Sequence, residues 1–166
     1  STGFSGILNC PTLALVDGQF RQGLEKTGIG YKREVNLIAL AHEKGLFTQA
    51  FVTSEDEAVQ MVNAGADMII YHLGGTDPGK AEDRKSRISQ SVERMNRAFE
   101  AALKVRDDVL LGCHGGPVAF PEDLSEVKKR LPVLDMFLGG SSTERLPVEI
   151  PIKKTVEEFK KIVAGR

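Results

Sequence analysis

The sequence has no tryptophan, only two cysteines and only 6% aromatic residues. Cys10 and Cys113 lie far apart, each at the end of an apolar run, so a disulfide framework is excluded as the organising device and reduced thiols in a core are expected. Charge of one sign is also missing: the formal net charge is −1, with 27% charged residues of both signs interspersed. Such a surface offers no basic face to nucleic acid and no acidic tail to a cationic partner, which leaves small molecules as the default ligands. No apolar run reaches the roughly 20 residues of a membrane span, and Ser1 to Gly6 lacks the basic-then-apolar grammar of a signal peptide. No membrane association and a cytoplasmic place are therefore expected.

What is present suits one globular domain spanning 1–166, because 41% hydrophobic residues in 166 are enough for a sizeable core. Phe4 to Cys10 reads as a first strand that Pro11 ends, and Pro11 to Tyr31 as a long Gly-rich loop. Arg33 to Lys44 sets Val35, Ile38, Ala39 and His42 on one helical face before Gly45, and His42 is expected to be structural. Leu46 to Thr53 is a second strand running into a helix capped by Ser54, with Glu57 reciprocating in a capping box. Asp67 to His72 is a third strand. A second Gly-rich loop, Leu73 to Lys85, leads into a long amphipathic helix through Ile88, Val92, Met95, Phe99 and Leu103. Val109 to Gly112 is a fourth strand, and Pro121 starts a helix that Pro132 stops. Val133 to Leu138 is a fifth, followed by Gly139 to Glu149, read as a helix start with a short extra helix, and by a closing helix bearing Ile152, Val156, Phe159, Ile162 and Val163.

Strand then helix, repeated five times with the long Gly-rich connections on one side, predicts a parallel α/β sheet. Ligands bind such sheets beyond the carboxyl ends of the strands. That edge collects Asn9, Cys10, Thr53, His72, His114 and the Gly139-Gly140-Ser141-Ser142 turn. Two glycines allow close backbone approach, and the hydroxyls and free N–H groups at a helix start suit an anion, with phosphate the obvious candidate. His72 and His114 end adjacent strands and are the candidates for general acid–base work near neutral pH. Asp17, Arg21 and Glu25 recur at near-helical spacing in the first loop, where Arg21 would suit an anionic substrate, Glu25 a catalytic carboxylate and Asp17 a Mg-like ion. No HExxH or paired-cysteine spacing marks a metal site, so no cofactor is certain and a divalent ion such as Mg is an open expectation. Arg145 could clamp a phosphate or carboxylate, or pair with Glu149 at i, i+4.

Several motifs carry a family resemblance: Asn9-x-Pro11-Thr12; Asp17-Gly18-x-Phe20-Arg21, continuing through Leu24-Glu25 to Gly28-x-Gly30-Tyr31; Cys113-His114-Gly115-Gly116-Pro117; and Ser141-Ser142-x-Glu144-Arg145-Leu146-Pro147. In this order along essentially the whole chain, they resemble the phosphoenolpyruvate hydrolase-like family of TIM-barrel proteins. That domain also occurs behind another domain in plant virus-resistance proteins. The resemblance implies a (βα) barrel enzyme with hydrolase or lyase chemistry on a small anionic, phosphorylated substrate, or a non-catalytic barrel that binds a metabolite or protein in signalling. It also implies a phosphate site shared by the loops after the last two strands, His114-Gly115-Gly116-Pro117 and Gly139 to Ser142. A closed barrel needs eight βα units, so the five read here would correspond to strands four through eight, with the first three missing. A truncated product, a remnant, or a homo-oligomer or other chain that supplies the missing half is expected. The Gly74 to Lys85 loop, with its charges from Asp77 to Lys85, departs from the family's pattern; as a lid it would alter substrate choice.

Overall fold

The computed structural model describes residues 3–164. Five parallel strands, β1 (Gly6–Leu8), β2 (Phe47–Val52), β3 (Met68–His72), β4 (Leu110–His114) and β5 (Met136–Leu138), pair in sequence order. Each consecutive pair is joined through helix, so the sheet is wound in one direction, as in a (βα) barrel, and has no reversal of the doubly wound kind. The helices between strands are α1 (Gly18–Lys26), α2 (Tyr31–Glu43), α3 (Glu55–Asn63), α4 (Ala81–Val105) and α5 (Pro121–Arg130); α6 (Leu146–Ala164) closes the chain.

Alternation along the strands separates two faces. Ala50, Val52, Ile69, Tyr71, Leu111 and Cys113 point to the helices and join the main core with Ile38, Met61, Met95 and Phe99. Their neighbours in the period, Phe51, Met68 and Ile70, pack with Leu8, Met136 and Leu138 on the opposite face, in a cluster to which no helix among the described residues contributes. The five strands thus form a curled half-barrel with its helices outside. Burying strands on both faces makes them nearly continuous hydrophobic runs, and β3, Met-Ile-Ile-Tyr-His, is buried throughout. At the amino ends, the Asp67 carboxylate accepts from the Thr48 amide and hydroxyl at 2.7 and 2.9 Å, which fastens β2 to β3 away from the ligand edge.

Several expectations change. The Pro11 to Tyr31 stretch is not a loop: it holds a 3-10 turn at Leu13–Leu15 and the helix α1. Glu25 explains Gly30, because its carboxylate lies where a Cβ there would stand, and it accepts from the Tyr31 amide at 3.1 Å. Ser54 caps α3 by accepting from the Glu57 amide at 3.2 Å, but Glu57 turns to Thr53, taking its amide and hydroxyl at 2.8 and 3.0 Å. Cys113 is buried as expected, whereas Cys10 is exposed because Pro11 carries the chain out of the sheet. β5 begins at Met136 rather than Val133, since Asp135 uses its carboxylate to take the Leu111 amide at 2.9 Å before the strand starts.

The largest departure is at the end. Residues 141–145 form turns, the helix starts only at Leu146, and it continues through Pro151 as one element. Its Ile152, Val156, Phe159 and Ile162 are exposed, Ile162 at 77%, although their spacing reads as a buried stripe. The Val163 side chain lies outside what is described. Among the described residues no helix is long and apolar enough to cross a membrane.

Candidate active site at the carboxyl ends of β3, β4 and β5

Parallel pairing puts His72 of β3 directly beside His114 of β4, and His114 beside Leu138 of β5. All three belong to the alternation set of Ile70 and Met136, so both imidazoles stand on the inner face at the carboxyl edge. Their ring centroids lie 4.7 Å apart at 71°, and the Phe51 ring touches both, at 4.8 and 5.5 Å. His72 is 8% exposed. Burial, with the adjacent His114 as a second cause, pushes its pKa down to about 4, so His72 is neutral at physiological pH.

Backbone groups orient the rings. The Gly74 amide donates to His72 Nδ1 at 3.1 Å, and His114 Nδ1 donates to the Leu138 carbonyl at 2.7 Å. Neither Nε2 has a hydrogen-bond partner among the described residues.

The three loops beyond these strands are tied together. Gly115, at φ +77°, sits where a Cβ would run into the Gly74 carbonyl, and Gly116, at φ +57°, has only 2.6 Å between such a carbon and Leu73 Cβ. The Gly116 amide donates to the Gly74 carbonyl at 3.1 Å, so its N–H is occupied by the fold and does not face an anion. Arg145 pairs with Glu149 at 2.7 Å and donates to the Thr76 carbonyl at 3.1 Å, bridging the loop after β5 to the loop after β3. Gly140 stands against His114, with 3.2 Å between its Cβ direction and the ring Cε1. The amides of Gly140, Ser141 and Ser142 have no acceptor among the described residues, and the Ser142 hydroxyl is buried without a partner. Ser142 also lines an apolar hollow of about 220 Å3 with Phe120, Leu124 and Phe137. The anion-binding capacity expected at Gly139 to Ser142 therefore rests on turn amides, not on a helix terminus, because the first helical residue lies further on.

Other expected site residues are built into the scaffold. Asn9 is buried: its Oδ1 accepts from the Phe51 amide at 2.6 Å, and its Nδ2 donates to Glu34 at 2.7 Å and to the Phe51 carbonyl at 3.3 Å. Nothing on it is left for substrate. Thr12 Oγ1 and the Leu13 amide also donate to Glu34, at 2.8 and 2.7 Å, which accounts for the Asn9-x-Pro11-Thr12 motif. Arg21 is spent in the same way: Nε pairs with Glu25 at 2.8 Å, Nη1 donates to the Leu13 carbonyl, and Nη2 stands 3.6 Å from Glu57. The hydrogen bonds from Arg21 and Tyr31 hold the Glu25 carboxyl below its ordinary range, which makes it a poor proton donor. Asp17 is exposed at the N-cap position of α1 with no capping bond. Among the described residues no three His, Cys, Asp or Glu side chains gather to hold a metal ion. His42, expected on the apolar face of its helix, is exposed, with its ring against Gly65.

Sequence reading missed Glu34, whose three bonds converge from residues 9, 12 and 13, and Asp123. Asp123 is buried, takes the Ala119 and Phe120 amides at 3.1 and 2.9 Å, and stands 3.7 Å from Arg84 of α4. An acidic residue near a helix start was the only signal for either. The loop expected to run to Lys85 ends at Lys80, because residues 81–85 already belong to α4, and Asp77 ties it down by accepting from the Gly79 amide at 2.9 Å and pairing with Arg87 of α4 at 3.3 Å.

Comparison with known proteins covers almost the whole chain. It is 44% identical over 163 residues to the ToMV susceptible protein tm-1(GCR26) of Solanum lycopersicum, covering 98% of this chain and 22% of that protein. The ToMV resistance protein Tm-1(GCR237) of the same plant gives the same identity and coverage. The chain thus spans less than a quarter of the length of these relatives. Among solved structures, an N-acetylmannosamine-6-phosphate 2-epimerase from Clostridium perfringens aligns over 77% of this chain and 48% of its own, at 19% identity and a TM-score of 0.44. The family model described as phosphoenolpyruvate hydrolase-like matches residues 1–162, and the chain belongs to that family.

Proposed function

We propose that the carboxyl edge of β3, β4 and β5 is an acid–base active site for a small anionic, phosphorylated substrate, with hydrolase or lyase chemistry. One observation carries this reading: two inward imidazoles in register, each with a free Nε2, stand beside a turn whose Gly140, Ser141 and Ser142 amides are unused. His114 moves the proton, His72 assists from the adjacent strand, and the amides of Gly140, Ser141 and Ser142 hold the anion. The family description supports the substrate class. The test is a thermal-shift screen with phosphoenolpyruvate, followed by turnover of that compound by the wild type and by His114→Asn. Binding with turnover lost in the variant supports the reading. Binding without turnover by the wild type would instead favour a non-catalytic, metabolite-binding barrel.

The same reading makes the open side an interface. The free edge of β1 borders a hollow lined by Ser5, Gly6, Phe47 and Gln49, and α6 exposes Val156, Phe159 and Ile162. We infer that further βα units close the mouth here, since only parallel strands with outer helices continue a singly wound sheet. Sedimentation of this chain by itself shows whether a second copy takes that place; a stable monomer would remove the homo-oligomer.

A further inference from the structure

The two imidazoles hold their hydrogens on opposite nitrogens. The Gly74 amide already donates to His72 Nδ1, so that nitrogen is bare and the neutral ring carries its hydrogen on Nε2. The Leu138 carbonyl can only accept, so His114 Nδ1 carries the hydrogen, and in the neutral ring Nε2 presents a lone pair. One free Nε2 is therefore a donor and its neighbour a base, on rings 4.7 Å apart. Protonating His72 would set a hydrogen on Nδ1 against the Gly74 N–H, so His72 is held as a neutral hydrogen-bond donor and does not work as a proton-releasing acid.

Resting on the acid–base reading above, we propose that this pair enolises a small carbonyl compound that carries an anionic group. His114 Nε2 takes a proton from the carbon next to the carbonyl. The electron pair of that C–H bond becomes the carbon–carbon double bond, the carbonyl π pair moves onto oxygen, and His72 Nε2–H hydrogen-bonds the resulting enolate. The proton on His114 Nε2 returns to carbon, passes to oxygen or exchanges with solvent before carbon is reprotonated, so the step is balanced without an oxidant or second reactant. Phe51 stands against both rings and gives the pair an apolar wall, which strengthens the hydrogen bond to the developing charge.

Proton NMR in deuterium oxide with pyruvate and glycolaldehyde phosphate as probes tests this. The protein should exchange deuterium into the carbon beside the carbonyl of at least one probe. His114→Gln should lower the rate about 100-fold or more, and His72→Leu should lower it by a similar factor. His72→Gln, whose amide N–H reaches toward the Nε2 position, should recover part of the loss. Nitrogen-15 NMR of the wild-type imidazoles, which needs no variant, should show a bare Nδ1 on His72 and a protonated Nδ1 on His114 at neutral pH. Exchange absent with both probes, His72→Leu exchanging as fast as wild type, or a protonated His72 Nδ1 would each overturn the proposal. His114-dependent phosphate release from phosphoenolpyruvate without exchange would overturn it and leave the acid–base reading standing.

Discussion

Asn9 and Glu34, 25 residues apart in sequence, meet at 2.7 Å and fasten the exit of β1 to the first turn of α2. Asn9 also continues the β1 to β2 pairing with its side chain, supplying an acceptor for the Phe51 amide and a donor for its carbonyl. Asn9→Ala leaves those buried groups unpaired and should cost about 2–4 kcal/mol, read as a lowered urea midpoint with an unchanged slope. Asn9 holds the backbone of Phe51, whose ring lies against both imidazoles, so the His72 and His114 signals should shift in the variant.

Stability should fall on acidification through His72. Its folded pKa, about 4, lies below the ordinary 6.5, so the unfolded chain binds the proton first. The stability from keeping this ring neutral is complete above pH 6.5, falls as pH drops toward 4, and is gone below that. Its full size is about 3 kcal/mol. Urea unfolding at the two ends of this window should show a smaller pH dependence in His72→Gln than in the wild type.

Gly115→Ala should be among the most damaging small substitutions. The left-handed backbone at φ +77° and the Gly74 carbonyl behind it both reject a methyl group, and the loop after β4 would have to move away from the loop after β3. A loss of about 1–3 kcal/mol in thermal or urea unfolding is expected. Turnover should drop as well, because the His72 Nδ1 partner, Gly74, lies in the displaced contact.

Phe159→Ser should hardly affect the unfolding of this chain. The ring is 67% exposed on α6, so little apolar area returns to water and the change should stay within about 0.5 kcal/mol. A larger loss in a longer protein containing the chain would mean that other residues cover this face.

The two cysteines should differ sharply toward iodoacetamide. Cys10 is exposed, whereas Cys113 is buried on the helix side of β4 and burial pushes its thiol up to about 12. Mass spectrometry of the native protein should find Cys10 modified and Cys113 intact, with Cys113 reacting only after unfolding.

Much of the fold was legible because its physics is local. The apolar runs ending at His72, His114 and Leu138, and the amphipathic stretch from Ile88 to Leu103, declare strands and helices by period, and a strand–helix repeat imposes parallel order. The helix α1 was hidden by the four glycines from Gly18 to Gly30, two of which, Gly18 and Gly23, lie within it and read as loop. The apolar spacing of α6 misled for the opposite reason: periodicity reports which face could be buried, not whether a partner is there to bury it.

For the site, the sequence by itself determined which residue types end adjacent strands, and so brought His72 and His114 to one edge, because parallel register follows from strand order and length. Tertiary structure alone decided what those residues can do. Arg21, Glu25 and Asn9 look free in sequence, yet they are consumed by Glu57, Tyr31, Glu34 and the Phe51 backbone, partners brought near only by folding. The opposite hydrogens of the two imidazoles were likewise set by a single backbone N–H at Gly74 and a single carbonyl at Leu138. Hydrogen-bond direction depends on where backbone groups come to rest in space, and no spacing along the chain encodes it.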